Sequence, residues 1–195
     1  MQEHLVEPPR DLGQVQADES RVKKQGGMVW LALAMMVCTR LGLGSAVRAP
    51  RARPLIRRLS ERVRRCAAHR PLLCCPDGLV SSIRAMRETL RAPVHTGTGG
   101  RPRLRPWRPV LIAQVVKRYE RRRVGETKRR LVDGTPAHVE TRRRRSQGEG
   151  GINTASSERR HATFRERWAS LTRRGRARAL HADLVAWHVF DRDGL

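Results

Sequence analysis

The sequence predicts an α/β domain on a mixed sheet, three antiparallel strands followed by parallel ones, with helices flanking it. Three observations carry that reading. The first quarter of the chain holds three strand-like segments separated by glycine or polar turns, the middle alternates helical and strand-like hydrophobic periods, and the last patterned segment is helical. At 195 residues the chain suits one compact domain with tails.

Gln14 to Val22 sets Val15, Ala17 and Val22 among polar neighbours, a strand pattern, and Gln25-Gly26-Gly27 supplies a hairpin turn. Met28 to Val37 is an apolar run with the composition of a central strand buried on both faces. Leu41 to Val47 alternates leucine and glycine as a third strand, before Pro50 and Pro54 break the pattern. Leu55, Leu59 and Val63 then recur at helical spacing with Arg57, Arg58, Arg62 and Arg64 between them, an amphipathic crossover helix.

Pro71 to Cys75 is a short apolar run ending in Pro76-Asp77-Gly78, which reads as a buried strand with a carboxylate at its carboxyl end. A second helix follows over Val80 to Leu90. Residues 96–109 are rich in Gly, Pro and Arg and predict a basic loop or arm, because they cannot bury enough apolar surface to order themselves. A solvated linker and a DNA contact are both compatible with that composition. Val110 to Tyr119 reads as a strand, and Arg142 to Gly151 as a charged connection without hydrophobic period. Phe164, Trp168 and Leu171 fall at i, i+4 and i+7, giving a final helix capped by Asn153 or Thr154 with Glu158 in its early turns. Three strands, helix, strand, helix, strand, helix, with one parallel crossover between the first and fourth strands, is the order of a ribonuclease H-like fold.

Charge narrows the partner. The 42 Lys and Arg against 18 Asp and Glu leave +24, an imbalance that attracts a polyanion by neutralising phosphates and releasing their counterions. Lys23, Lys24, Lys117 and Lys128 are the only lysines, so the excess is arginine, whose planar fork binds phosphate oxygens in pairs. Nucleic acid is the expected partner. Cys38, Cys66, Cys74 and Cys75 lack zinc-site spacing and predict reduced, buried thiols. The seven histidines form no local cluster and take no role. Trp30 and Trp168 read as core, whereas Trp107, between Arg105 and Arg108, is a candidate for stacking on a base. The apolar run Met28 to Cys38 is too short to span a bilayer, and no signal peptide precedes it, so the expectation is a cytoplasmic, nucleoid-associated protein without a membrane partner.

Phosphodiester chemistry of the two-metal kind needs carboxylates converging from several elements. Asp18, Asp77 and Glu158 stand on three of them, although spacing alone leaves ordinary strand-end and solvated-helix acids as the simpler reading. Gln16-Ala17-Asp18-Glu19, Asp77-Gly78, and Ile152-Asn153-Thr154-Ala155 followed by Glu158-Arg159 resemble the three acidic blocks of insertion-sequence DDE transposases. Ala113-Gln114-Val115-Val116-Lys117, Ala162-Thr163-Phe164-Arg165 and Leu171-Thr172-Arg173-Arg174 are also similar to that family, and the resemblance covers Asp11 to Ala179.

The resemblance implies a ribonuclease H-like catalytic core over 13–179, between an N-terminal tail (1–12) and a divergent C-terminal tail (180–195). Asp18, Asp77 and Glu158 would be the catalytic and metal-binding triad for Mg²⁺ or Mn²⁺, with water or a DNA 3′-hydroxyl as nucleophile. Arg101, Arg103, Arg105, Arg159 and Arg165 are the candidate DNA contacts, transposon ends and target DNA the partners, and a homo-oligomer the assembly. Ser156-Ser157 and Arg160-His161 depart from the family's residues and predict a final helix with less apolar packing. Pro76 beside Asp77 predicts a displaced carboxylate. The resemblance implies metal-dependent DNA cleavage and strand transfer in transposition; the short segment before the first strand predicts that no sequence-reading domain for transposon ends precedes the core, and the ending from Leu180 predicts a truncation or frameshift; a non-catalytic basic DNA-binding protein or a decayed, inactive fragment is the alternative reading.

Overall fold

The computed structural model describes residues 8–24, 27–49, 51, 53–78, 80–95, 97, 101–107, 109–120, 123–147 and 151–167. Gln25, Gly26, Trp168, Leu171 and the tail 180–195, all named above, lie outside the described residues, as do residues 1–7. The elements are β1 (Gln14–Lys24), β2 (Gly27–Met36), β3 (Gly42–Arg48), α1 (Arg53–Cys66), β4 (Leu72–Pro76), α2 (Val80–Thr89), β5 (Arg91–Val94), β6 (Arg103–Pro106), β7 (Val110–Glu120), β8 (Arg123–Asp133), α3 (Pro136–Gln147) and α4 (Ala155–Arg167).

Among the described residues six strands form one mixed sheet in the order β3-β2-β1-β4-β7-β8. The first three are antiparallel, as expected, with Ala17 opposite Ala34 and Leu33 opposite Ser45. The expected crossover follows: β4 lies parallel to β1, and β7 parallel to β4. The chain is therefore α/β with a mixed sheet flanked by helices.

Each face of the sheet has its own core. On one side Val15, Ala17, Ala32, Ala34, Cys74 and Ile112 meet Leu55, Ile56, Leu59 and Val63 of α1 and Ala85 and Met86 of α2. Burying each α1 side chain of this size contributes roughly 1.5–3 kcal/mol, which is why the arginine-rich sequence still folds onto the sheet. On the other side Leu31 and Leu33 pack on Phe164 of α4, and Leu73, Leu111 and Val115 on Val139 of α3 and Ile152. Strand β2 is covered on both faces, so its sequence is a continuous apolar run.

Three segments differ from expectation. The arm over 96–109 is not wholly irregular: β6 pairs antiparallel with β5, Arg91 opposite Pro106 and Val94 opposite Arg103. Backbone pairing, not side-chain burial, orders this ribbon, and Trp107 anchors it. Trp107 is 9% exposed, its backbone N–H donates to the Leu90 carbonyl at 3.0 Å, and its ring meets His69 edge-on, so it is a core residue and not a stacking platform. Much of the expected charged connection is helix α3, whose start is capped by Thr135: its Oγ1 accepts from His138 N, and Pro136 takes the first helical position. Glu140 then bonds Arg143 and Arg144 along the helix surface. Strand β8 was not anticipated at all, being polar or exposed along most of its length.

At the other end, Leu12 is buried and Arg10 bridges Ala67, so the fold takes in residues assigned to the N-terminal tail. Cys74 and Cys75 are free and buried as expected, but Cys38 is exposed.

Candidate active site

Strand alternation decides which side chains of β1 face α4. Val15 and Ala17 join the α1-side core, while Gln14, Gln16, Asp18 and Ser20 form a polar row on the other face that ends in Val22 against Phe164. Helix α4 meets Gln16, Asp18 and Ser20 of this row, whereas the Gln14 amide donates to Gln147 of α3. The Gln16 Oε1 accepts from the backbone N–H groups of Ser156 and Ser157 at 3.1 and 3.2 Å, so a side chain from β1 caps the start of α4. Asn153 Oδ1 accepts from Ala155 N at 3.0 Å, and Thr154 O takes the first helical bond from Glu158 N. Ser157 is fully buried, its hydroxyl donating to Thr154 O. The two serines expected to weaken α4 thus dock it through hydrogen bonds instead of apolar contact.

This docking sets Glu158 at the carboxyl edge of the sheet, the edge that also holds the other two acids. Ala17 pairs with Pro76, so Asp18 and Asp77 are the next residues along two adjacent parallel strands. Pro76 ends β4, where it removes no interior ladder bond, and Gln114 Nε2 donates to the Asp77 carbonyl at 2.9 Å. Asp77 is therefore held by its own backbone, contrary to the displacement expected from Pro76. Asp18, Asp77 and Glu158 all line a cleft of about 710 Å³ and an adjoining one of about 320 Å³.

Electrostatics register the convergence. Burial, followed by repulsion from Asp77 and then Glu158, pushes the Asp18 carboxyl up to about 7, against the Glu19 N–H and Lys117. Glu158 moves the other way. Burial opposes its charge, but the Lys117 ammonium and the Thr154 hydroxyl, both bonded to it, outweigh that and hold it below the usual range.

Sequence reasoning missed several residues here. Glu19, on the opposite face of β1, has a 2% exposed side chain and an elevated pKa from burial and from Asp77. Arg51 bridges it to Asp77, with Nη2 2.7 Å from Glu19 Oε2 and 2.9 Å from Asp77 Oδ2, and its guanidinium lies 4.8 Å above the Trp30 ring. Trp30 is thus half-buried, packed against the α1-side core and covered by arginine. His161 is 2% exposed: Nδ1 lies 3.0 Å from Ser20 Oγ and Nε2 3.2 Å from the Asp18 carbonyl, with Nε2 3.8 Å from Asp18 Oδ2. The signal that could have found His161 is that polar row, since Ser20 needs a partner one helical turn beyond Glu158.

The arginines divide. Arg165 lines the larger cleft, and Arg159 is exposed on α4 next to Glu158. Arg101, Arg103 and Arg105 are elsewhere. Strand β7 begins beside the amino end of β4, so the β5-β6 ribbon, joined to it through Trp107, is rooted at the opposite end of the sheet from Asp77.

Three hard oxygen donors that repel one another suit a divalent cation in charge and chemistry. Asp77 and Glu158 are presently balanced by Arg51 and Lys117, and among the described residues no three His, Cys, Asp or Glu side chains form a ready metal cage. A cation would take over the neutralising role of those two bases. No helix among the described residues is long and apolar enough to cross a membrane. Neither protein-family models nor curated proteins give a match to this chain.

Proposed function

We propose that the chain is a metal-dependent phosphodiester-processing enzyme with a ribonuclease H-like core, acting on DNA in the strand cleavage and transfer of a DDE-type transposase. The observation that carries this reading is the meeting of Asp18, Asp77 and Glu158, from β1, the end of β4 and α4, at one edge of the sheet. Two of these acids follow adjacent parallel strands, and crevices outside the carboxyl ends of such strands are where open α/β sheets bind ligands.

Asp18, Asp77 and Glu158 would hold Mg²⁺ or Mn²⁺, which when bound lowers the pKa of a coordinated hydroxyl and neutralises phosphate charge. The protein's own residues do the rest. Gln16 fixes the start of α4 and with it Glu158; His161 fixes the Asp18 backbone; Gln114 fixes that of Asp77. Arg51 and Lys117, released from Asp77 and Glu158, are placed to contact phosphate oxygens of the bound strand. The surface charge of +24 gathers the polyanion at the cleft.

The same two ion pairs favour one second reading, a DNA-binding protein that does not cut, with Arg51 and Lys117 as permanent partners of the acids. A thermal melt with and without Mn²⁺, on the wild type and on Asp77→Asn, separates the two. A ligand present at 100 times its Kd and bound only by the folded state adds about 2.7 kcal/mol. The expected result is a Mn²⁺-dependent rise in Tm that Asp77→Asn lacks, with Mn²⁺-dependent nicking of supercoiled DNA by the wild type only. A wild-type transition indifferent to Mn²⁺ sinks the catalytic reading.

A further inference from the structure

Strand β7 outruns its neighbour. It pairs with β4 only from Val110 to Ile112, then continues to Glu120 with β8 as its strand partner. From Lys117 outward the two strands form a ribbon on the cleft side of the sheet, and Lys117 at its base is bonded to Glu158. Lys117 to Glu120 extend it by roughly 13 Å at the usual strand rise.

One face of this ribbon is basic. Paired residues of antiparallel strands share a face, so Arg130 opposite Gln114, Lys128 opposite Val116, and Arg118 opposite Glu126 lie in one row. Gln114 bonds the Asp77 carbonyl and Val116 flanks Gly78, so the row starts beside Asp77 and runs outward. Arg118, Lys128 and Arg130 are exposed. Glu126 is the acid in the row, 3.5 Å from Lys128. Two apolar side chains of β8, Val124 and Leu131, are 48% and 38% exposed.

The geometry points to the β7-β8 ribbon as the docking surface for duplex DNA, its basic face lying along the phosphates so that the strand to be cut crosses the Asp77 side of the cleft. This inference rests on the proposed function for its substrate, and the ribbon assigns the surface that holds it. A two-stranded ribbon is narrow enough to enter the major groove, whereas the flanking helices α1 and α2 are packed on the sheet. Charge complementarity selects the occupant: three exposed cations on one face of the ribbon, Lys128 and Arg130 on β8 and Arg118 on β7, match a line of phosphates. The β5-β6 ribbon, with Arg101, Arg103 and Arg105, is equally basic but rooted at the far end of the sheet.

The test is binding of the full chain to a labelled 30-base-pair duplex of arbitrary sequence (a length of about three helical turns), in EDTA, across a salt series. The triple variant R118Q/K128Q/R130Q is expected to bind about tenfold more weakly and to lower the slope of log K against log salt by about 0.9 per cation removed. Glu126→Gln is expected to bind more tightly. R101Q/R103Q/R105Q serves as the equal-charge control and is expected to bind nearly as the wild type. Equal losses in both triple variants, or a β7-β8 variant that binds normally, overturn the inference, as does tighter binding of single-stranded DNA or RNA duplex than of duplex DNA. Circular dichroism checks that each variant keeps its fold. Loss of binding in the ribbon variant together with absence of Mn²⁺-dependent nicking by the wild type leaves the docking surface standing and removes the catalytic reading; a wild type that binds no nucleic acid removes both.

Discussion

Asp18 concentrates the chemistry of the molecule in one side chain. Its carboxyl is shifted from 3.8 to about 7 because it is buried and faces Asp77 and Glu158. The folded state therefore binds a proton that the unfolded chain has released between pH 4 and 7, and stability falls as pH rises through that window, by about 1.4 kcal/mol per unit at the steepest. Asp18→Asn removes the titrating group. In metal-free buffer the variant is expected to match the wild type near pH 4 and to exceed it by roughly 2–4 kcal/mol at pH 7, the shift being about three units. Urea unfolding at the two pH values measures this, and parallel pH profiles would mean that the Asp18 carboxyl is not raised by its burial and its acidic neighbours. Asp18 and Asp77 were legible through the resemblance of the blocks around them, since their spacing alone left them ordinary strand and strand-end acids. Arg51, Glu19 and His161 were not, since each acquires its meaning only from a partner at least 26 residues away in sequence.

Elements legible in the sequence are those whose burial is periodic. Helix α1 buries Leu55, Ile56, Leu59 and Val63 at helical spacing, and β2 reads as apolar because both of its faces are covered. Helix α3 buries only Val139 and Arg143, so it left no hydrophobic period to read, and its evidence was the Thr135-Pro136 start. Strands β5, β6 and β8 are held by backbone pairing to a neighbour, which leaves composition unconstrained. Helix α4 is the most instructive case, because its docking is polar. Gln16→Leu leaves the Ser156 and Ser157 N–H groups without their acceptor, and the expected cost is about 1–3 kcal/mol, with Gln16→Glu less damaging because it restores an acceptor at a helix N-terminus. Chemical denaturation gives the cost. A Gln16→Leu protein as stable as the wild type would show that α4 does not dock through this side chain.

At the scale of the whole molecule the formal charge of +24 works against compaction while it recruits a polyanion. Ion pairs such as Arg87–Asp133 and Arg53–Glu88–Arg84 are at the surface, where each contributes little, so they do not offset the general repulsion. Screening should then stabilise the fold: the Debye length shrinks from about 30 Å at 0.01 M salt to about 3 Å at 1 M. A rise in Tm between low and moderate NaCl, and a larger rise at low salt with duplex DNA, is the expected outcome of differential scanning fluorimetry. A Tm that falls with salt would mean that the surface ion pairs dominate over net repulsion.

The sequence by itself determined the α/β class, the antiparallel start, the parallel crossover and the places of Asp18, Asp77 and Glu158 along the chain, because burial periods and turn residues are local properties. Tertiary structure alone decided that these acids share one edge, that Arg51 and Lys117 balance two of them, that Gln16 holds α4 in place, and that β7 and β8 form a basic ribbon beside the cleft. Those features depend on register and on packing between distant segments, and neither composition nor spacing encodes which exposed arginine lies next to which carboxylate.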